Sequence, residues 1–183
     1  MKIKLFVVVV VMILNSYVFI NAQSRKIEAI KEESSITYKL KHPLHEVEAV
    51  SKESQCVVEV DPSIKKIYAA AVRVDVMSFN SGNSNRDSHA MEVIDALTYP
   101  QVVFTSDSIT QNNDSLKITG KLVFKGITKE ITIGAVSKWQ TDKLEVDGNF
   151  DISLTEFYIE RPSLLLIPVE DTLKFSFKEI FNL

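Results

Sequence analysis

The eleven residues Leu144–Leu154, LEVDGNFDISL, alternate without a break. Leu144, Val146, Gly148, Phe150, Ile152 and Leu154 fall on one face, and Glu145, Asp147, Asn149, Asp151 and Ser153 on the other. A side-chain period of two belongs to extended chain, so this run is a strand with one face in water and one toward an interior. At about 3.3 Å per residue it spans roughly 35 Å, long for a flat sheet edge but natural in a tilted barrel stave. Gly148, midway, is expected to permit the bend that a small barrel requires.

The same period runs through most of the chain. Ile36, Tyr38 and Leu40 alternate with Thr37, Lys39 and Lys41, and Cys56, Val58 and Val60 with Val57 and Glu59, up to the turn signal Asp61-Pro62. Ile67–Val76, Val102–Asp107, Leu116–Phe124, Glu130–Val136 and Leu173–Phe177 add further strands, with turns expected at Asn112-Asn113-Asp114 and at Gly126. Glu160–Pro168 reads as a loop closed by two prolines. About eight or nine strands result, and no helical period is long enough for a βαβ unit. The class is all-β, an antiparallel barrel or sandwich with one polar and one apolar face. Such a barrel either fills its interior with side chains or leaves room for one ligand. The Ala, Gly and Ser positions among the inward residues favour a cavity.

Lys2 and Lys4 precede the apolar run Leu5–Leu14, which Asn15 and Ser16 end, and Asn21-Ala22-Gln23 offers a small-residue cleavage site. Residues 1–22 are therefore expected to be a secretory signal peptide, and the mature chain to lack an integral membrane segment. The expected location is periplasmic or extracellular. Residues 23–34 are charged and read as a loosely ordered lead-in, and 35–183 as the barrel domain. Removing two lysines from 21 basic residues set against 24 acidic ones leaves a mildly acidic protein with no basic cluster, so nucleic acid is not an expected partner. A homodimer is a further candidate assembly. Cys56 is the single cysteine, which excludes an internal disulfide and points to a buried thiol.

The segment between the strands at Val72 and Val102 is different. Val74 and Val76 continue one face of a strand, Asn80–Asn85 forms a polar loop, Asp87 and Ser88 can cap a short helix over His89–Ile94, and Tyr99-Pro100 ends it. Arg86 could clamp a carboxylate or brace the loop, and His89 could donate to a ligand's polar end. Local pairing of Arg86 with Asp87 at the helix cap is the plainer reading. His42 and His45 sit three apart beside Glu46 and Glu48, but Pro43 intrudes and no cysteine is near, so no metal is expected. No nucleophile elbow or phosphate-cradling glycine loop occurs, which leaves an enzyme and a cofactor without a candidate. The sequon Asn113-Asp114-Ser115 matters only in a host that glycosylates secreted proteins.

Asp75, Val76, Ser78, Phe79, Asn83, Arg86, Asp87, His89, Asp95, Tyr99, Pro100, Val102, Phe104 and Ser106 fall in an order that resembles the YceI-like family of secreted lipid-binding proteins. Thr119-Gly120-Lys121-Leu122 through Gly126-Ile127-Thr128-Lys129 resembles a second family motif, and Ser35 and His42 stand at its first-strand separation. Glu48-Ala49 departs from the family's usual glycine, and the compact Ile159–Leu165 resembles a shorter subgroup. The resemblance implies an antiparallel, eight-stranded, lipocalin-like β-barrel with one short helix. It also implies an apolar or amphiphilic, isoprenoid-type lipid held without being transformed. The inward residues Val74, Val76, Phe104, Ile118, Leu122, Phe124, Leu144, Val146, Phe150, Phe175 and Phe177 are the expected lining, with Arg86 and His89 at the mouth. The rival is a solid barrel, an envelope interaction or stress protein gripped by its loops and by apolar residues around 164–167.

Overall fold

In chain order the strands are β1 (Arg25–Glu28), β2 (Ser35–His42), β3 (His45–Ser51), β4 (Gln55–Asp61), β5 (Lys66–Asp75), β6 (Gln101–Asn112), β7 (Ser115–Phe124), β8 (Ile127–Trp139), β9 (Lys143–Ser153), β10 (Ser163–Leu164), β11 (Ile167–Pro168) and β12 (Thr172–Asn182). One helix, α1 (Ser84–Val93), lies between β5 and β6. The computed structural model describes residues 24–164 and 166–183, so the expected signal peptide lies outside the described residues. Ten strands form one antiparallel sheet in the order β1-β4-β5-β6-β7-β8-β9-β12-β2-β3, and β10 pairs with β11 apart from it.

Short turns pair β4 with β5 and join β6 through β9 in succession, and β5 and β6, linked through α1, also pair, so that β4 to β9 form a meander. The β7–β8 turn has Lys125 and Gly126 at φ 49° and 73°, the doubly positive conformation that matches the twist of a two-residue hairpin. A side chain on Gly126 would also collide with the ring of Tyr99, so the two family-like motifs meet in space at this point. Lys125 Nζ donates to the carbonyls of Val93 and Tyr158 at 3.1 and 3.2 Å, tying the turn to α1 and to the segment after β9.

The sheet curls until its ends meet other strands. Along β12, Phe177 and Lys178 pair with Ile36 and Ser35 of β2. Two residues later the partner has changed: Ile180 O accepts from Ile30 N at 2.6 Å, and Ala29 bridges Phe181. Residues 25–42 thus act as one broken strand, its first half on β4 and its second on β12, with a 3-10 turn at Lys31–Glu33 as the break. Val50 and Asn80 exchange both backbone bonds and close the other edge. The place where β12 changes partner is a seam in the barrel wall.

Inward residues form the core. Leu116, Ile118, Leu122 and Phe124 of β7 are all buried, and Phe150 and Phe175 stack at 4.9 Å between ring centres. The outer face carries charge pairs such as Lys39 Nζ with Glu48 at 2.8 Å.

The structure departs from the sequence reading at the strand count, the lead-in and the helix start. The main sheet has ten strands rather than eight, because 25–28 and 45–51 also extend. Arg25–Glu28, expected as a loosely ordered lead-in, pairs with Glu28 opposite Val57 and Arg25 opposite Val60. His45–Ser51 hides its alternation behind polar inward residues; Ala49 and Ser51 are buried there. The helix starts five residues earlier than expected, because Asn83 is its cap and accepts from Arg86 N at 3.1 Å. Gly148 leaves room for a ring: the ring of Phe177, its partner across the ladder, occupies the space a side chain would need.

Candidate functional site

The interior is not filled. A cavity of about 190 Å³ runs among the inward side chains of β2, β4 to β9 and β12. Met91 and Val93 of α1 and Ile94 just after it border one part of it, together with Leu154, Ile159 and Pro162 of the segment after β9. Those two groups stand at the end where Lys125 joins them. The walls are almost wholly aliphatic and aromatic, as the alternation requires: every second residue of each stave points here.

Polar groups on the wall are few, and each has a traceable position. Tyr38, on β2, is half-buried; burial pushes its phenol up, the Asp87 carboxylate adds to that and Arg86 opposes it. Asp87 borders the cavity from the first turn of α1, and its carboxylate accepts from Ser81 N at 3.2 Å. Cys56 and Glu179 lie at the seam. Burial pushes the Cys56 thiol up, with Glu179 adding to the effect, so the thiol stays protonated and unreactive. Glu179 is 2% exposed. Its Oε1 accepts from Ser54 Oγ at 2.9 Å, and its Oε2 has no hydrogen-bond partner among the described residues. Burial raises its carboxyl to about 7 against the opposing hydroxyls of Ser54 and Ser34.

Of the thirteen residues expected at the site, Val74, Val76, Phe104, Ile118, Leu122, Phe124, Val146, Phe150, Phe175 and Phe177 border the cavity. Leu144 does not; it is fully buried in the core beside it. Arg86 and His89 do not border it either. His89 is exposed and stands 3.8 Å from Glu92, one helical turn on, because α1 turns it outward. Arg86 is half-buried, its Nε has no hydrogen-bond partner, and no ion pair joins it to Asp87 among the described residues. His42 is buried and fully used: Nε2 meets Ile167 O at 2.9 Å and Nδ1 accepts from Leu44 N at 3.1 Å. Among the described residues no group of three metal-binding side chains comes together.

Sequence reasoning missed Tyr38, Asp87, the α1 residues and Glu179. The last was legible. Glu179 has the parity of Leu173, Phe175, Phe177 and Phe181, so a strand continued to Phe181 must turn it inward.

A YceI-like domain matches residues 28–179. Protein YceI of Salmonella arizonae is 34% identical over 86 residues, which are 46% of this chain and 44% of that protein, so the match spans less than half of the relative's length. BcnA of Burkholderia cenocepacia superposes with a TM-score of 0.75 at 23% identity, over 83% of this chain and 98% of that one. A polyisoprenoid binding domain from Saccharophagus degradans superposes with a TM-score of 0.64 at 11% identity, over 87% of this chain and 99% of that one.

Proposed function

Because the chain belongs to the YceI-like domain family, we propose that it is a lipid-binding barrel that holds one long apolar or amphiphilic chain in its interior and does not transform it. The apolar cavity carries this reading. An apolar void with a volume of about 190 Å³ costs on the order of 4–5 kcal/mol if left empty, at ~24 cal/mol per Å³. That is a large share of the 5–15 kcal/mol by which domains are typically stable. A hydrocarbon chain removes the penalty and brings its own gain: roughly 25 cal/mol per Å² means that ~400 Å² buried contributes ~10 kcal/mol before ordering costs. Water is a poor substitute, since a buried water needs two to four polar partners and these walls offer few.

The ligand class is an isoprenoid-type or comparable long-chain lipid. The similarity of the barrel to a polyisoprenoid binding domain supports this class. Carriage or storage outside the cytoplasm, following removal of the leader, is the accompanying role. No helix of the described residues is long and apolar enough to cross a membrane. The Cys56 thiol that borders the cavity is pushed up by burial and by Glu179 beside it, which disfavours a thiolate and supports binding without turnover.

The test uses diphenylhexatriene, an apolar dye that fluoresces when taken out of water. The expected result is saturable binding of about one dye per chain, lost in a folded Leu122→Asp protein. Equal dye binding by a folded Leu122→Asp protein would place the dye elsewhere and reject the cavity as the site.

A further inference from the structure

Glu179 occupies the one stretch of β12 between its two partners. Lys178 is the last residue paired with β2, and Ile180 the first bonded to Ile30. The wall is therefore thinnest in backbone bonds at Glu179, and side chains complete it. Ser34 Oγ accepts from Ile180 N at 3.1 Å, and Ser54 Oγ donates to Glu179 Oε1. Ser34 and Ser54 are themselves buried, at 1% and 3% exposure.

This local arrangement satisfies one carboxyl oxygen; the other has no hydrogen-bond partner among the described residues, although the Ser34 hydroxyl beside it favours the charged form. An unmet buried polar atom is expensive, and native proteins rarely keep one without a partner. The charged groups nearby do not supply it. Lys31 pairs with Glu53 and Lys143 with Glu33 on the exposed side, and Lys178 bonds Glu145 outside. Facing Glu179 from β4 is the Cys56 thiol, a weak donor, and across β9 its ladder partner is Val146.

We propose that Glu179 recognises a lipid hydroxyl, so that the barrel takes a long-chain alcohol in preference to a hydrocarbon of the same length, with the alcohol oxygen at the seam. The proposal rests on the lipid-binding reading and specifies its ligand. A hydroxyl fits better than a carbonyl for a simple reason. With its carboxyl at about 7, Glu179 is a neutral acid below neutrality and a carboxylate above it. A hydroxyl accepts from the acid and donates to the carboxylate, whereas a carbonyl can only accept. A fatty acid would meet the carboxylate as a like charge.

The experiment is competition against diphenylhexatriene by dodecanol, dodecanone and dodecane, on the full chain and on E179L and E179Q. Dodecanol is expected to displace the dye roughly ten-fold better than dodecane in the unaltered protein, as one buried hydrogen bond predicts. In E179L the ratio falls to about one while dodecane is retained; in E179Q, which keeps a donor and an acceptor, it persists. Dodecanone weakens between about pH 6 and about pH 8 in the unaltered protein and not in E179Q. Because each ratio is taken within one protein, altered stability does not mimic it. Equal displacement by alcohol and alkane, or a preference that survives in E179L, overturns the proposal and leaves the lipid-binding reading standing. Failure of dye and alkane alike to bind overturns both.

Discussion

Glu145 and Glu179 stand almost opposite each other on two sides of one wall. On the β9–β12 ladder Glu145 faces Ile180 and Glu179 faces Val146, so the two carboxylates are one rung apart but on opposite faces. Outside, Lys138 and Lys178 bond Glu145 and hold its carboxyl down to about 2. Inside, burial raises Glu179 to about 7. One step in strand parity separates a carboxylate that wants its charge from one that resists it. The sheet is a single layer thick, and which side a residue takes decides its chemistry.

The comparison breaks most decisively by moving a carboxylate to the inner face with nothing to receive it. Leu122 is 2% exposed on β7 and borders the apolar cavity, so Leu122→Asp sets a carboxyl group among apolar side chains. A loss of about 3–5 kcal/mol is expected, read from urea unfolding, because the new group must be buried uncharged or pull water inward.

Glu179 itself gives the next effect. Its folded carboxyl lies above its unfolded value of 4.5, so the folded state holds the extra proton between the two. The stability is therefore fully present below about pH 4.5 and is lost as pH rises through about 7. The decline is on the order of 2–3 kcal/mol. Urea midpoints taken at about pH 5 and about pH 8 should differ by this amount in the unaltered protein and not in Glu179→Gln; parallel midpoints in both proteins would mean that Glu179 ionises freely.

Ser54→Ala sharpens the same point. It removes the hydroxyl that favours the ionised form, so the decline should move to higher pH, with about 1 kcal/mol lost where Glu179 is charged. On the outer face the sign reverses. Glu145 is stabilising above its unfolded pKa, and that contribution disappears as pH falls through its folded value of about 2. Solvent and salt screen this partly exposed cluster, so Glu145→Gln should cost no more than about 1 kcal/mol at neutral pH and less in high salt.

The same contrast explains what could be read from the residues alone. The meander β4 to β9 was legible because its strands alternate and two of its turns carry Asn or Gly at a positive φ, Asn113 and Gly126, although Lys65 and Lys125 take the same conformation without such a signal. Ten of the expected lining residues follow from that parity. The seam was not legible. β1 is four charged and apolar residues whose partner lies some thirty positions away, and β3 turns Val47, Ala49 and Ser51 inward, a set that does not look like a core face. Arg86 and His89 were misplaced because the helix start was taken from Asp87 and Ser88, although Asn83 has the same capping chemistry and comes first. Shifting the start rotates every later residue about the helix axis and sends His89 to solvent. Tyr38 and Asp87, which do border the cavity, come together only where β3 closes on Asn80, beside the contact of Tyr38 with Phe79.

The central claim is that the interior holds a lipid rather than a packed core. The direct measurement is native mass spectrometry of the protein purified from the cells that make it, without organic solvent. The expected spectrum shows a folded chain carrying about one long-chain lipid, released on collisional activation, with a hydroxyl in its composition. A folded chain at its bare polypeptide mass, with no lipid in a parallel extract, would contradict the account.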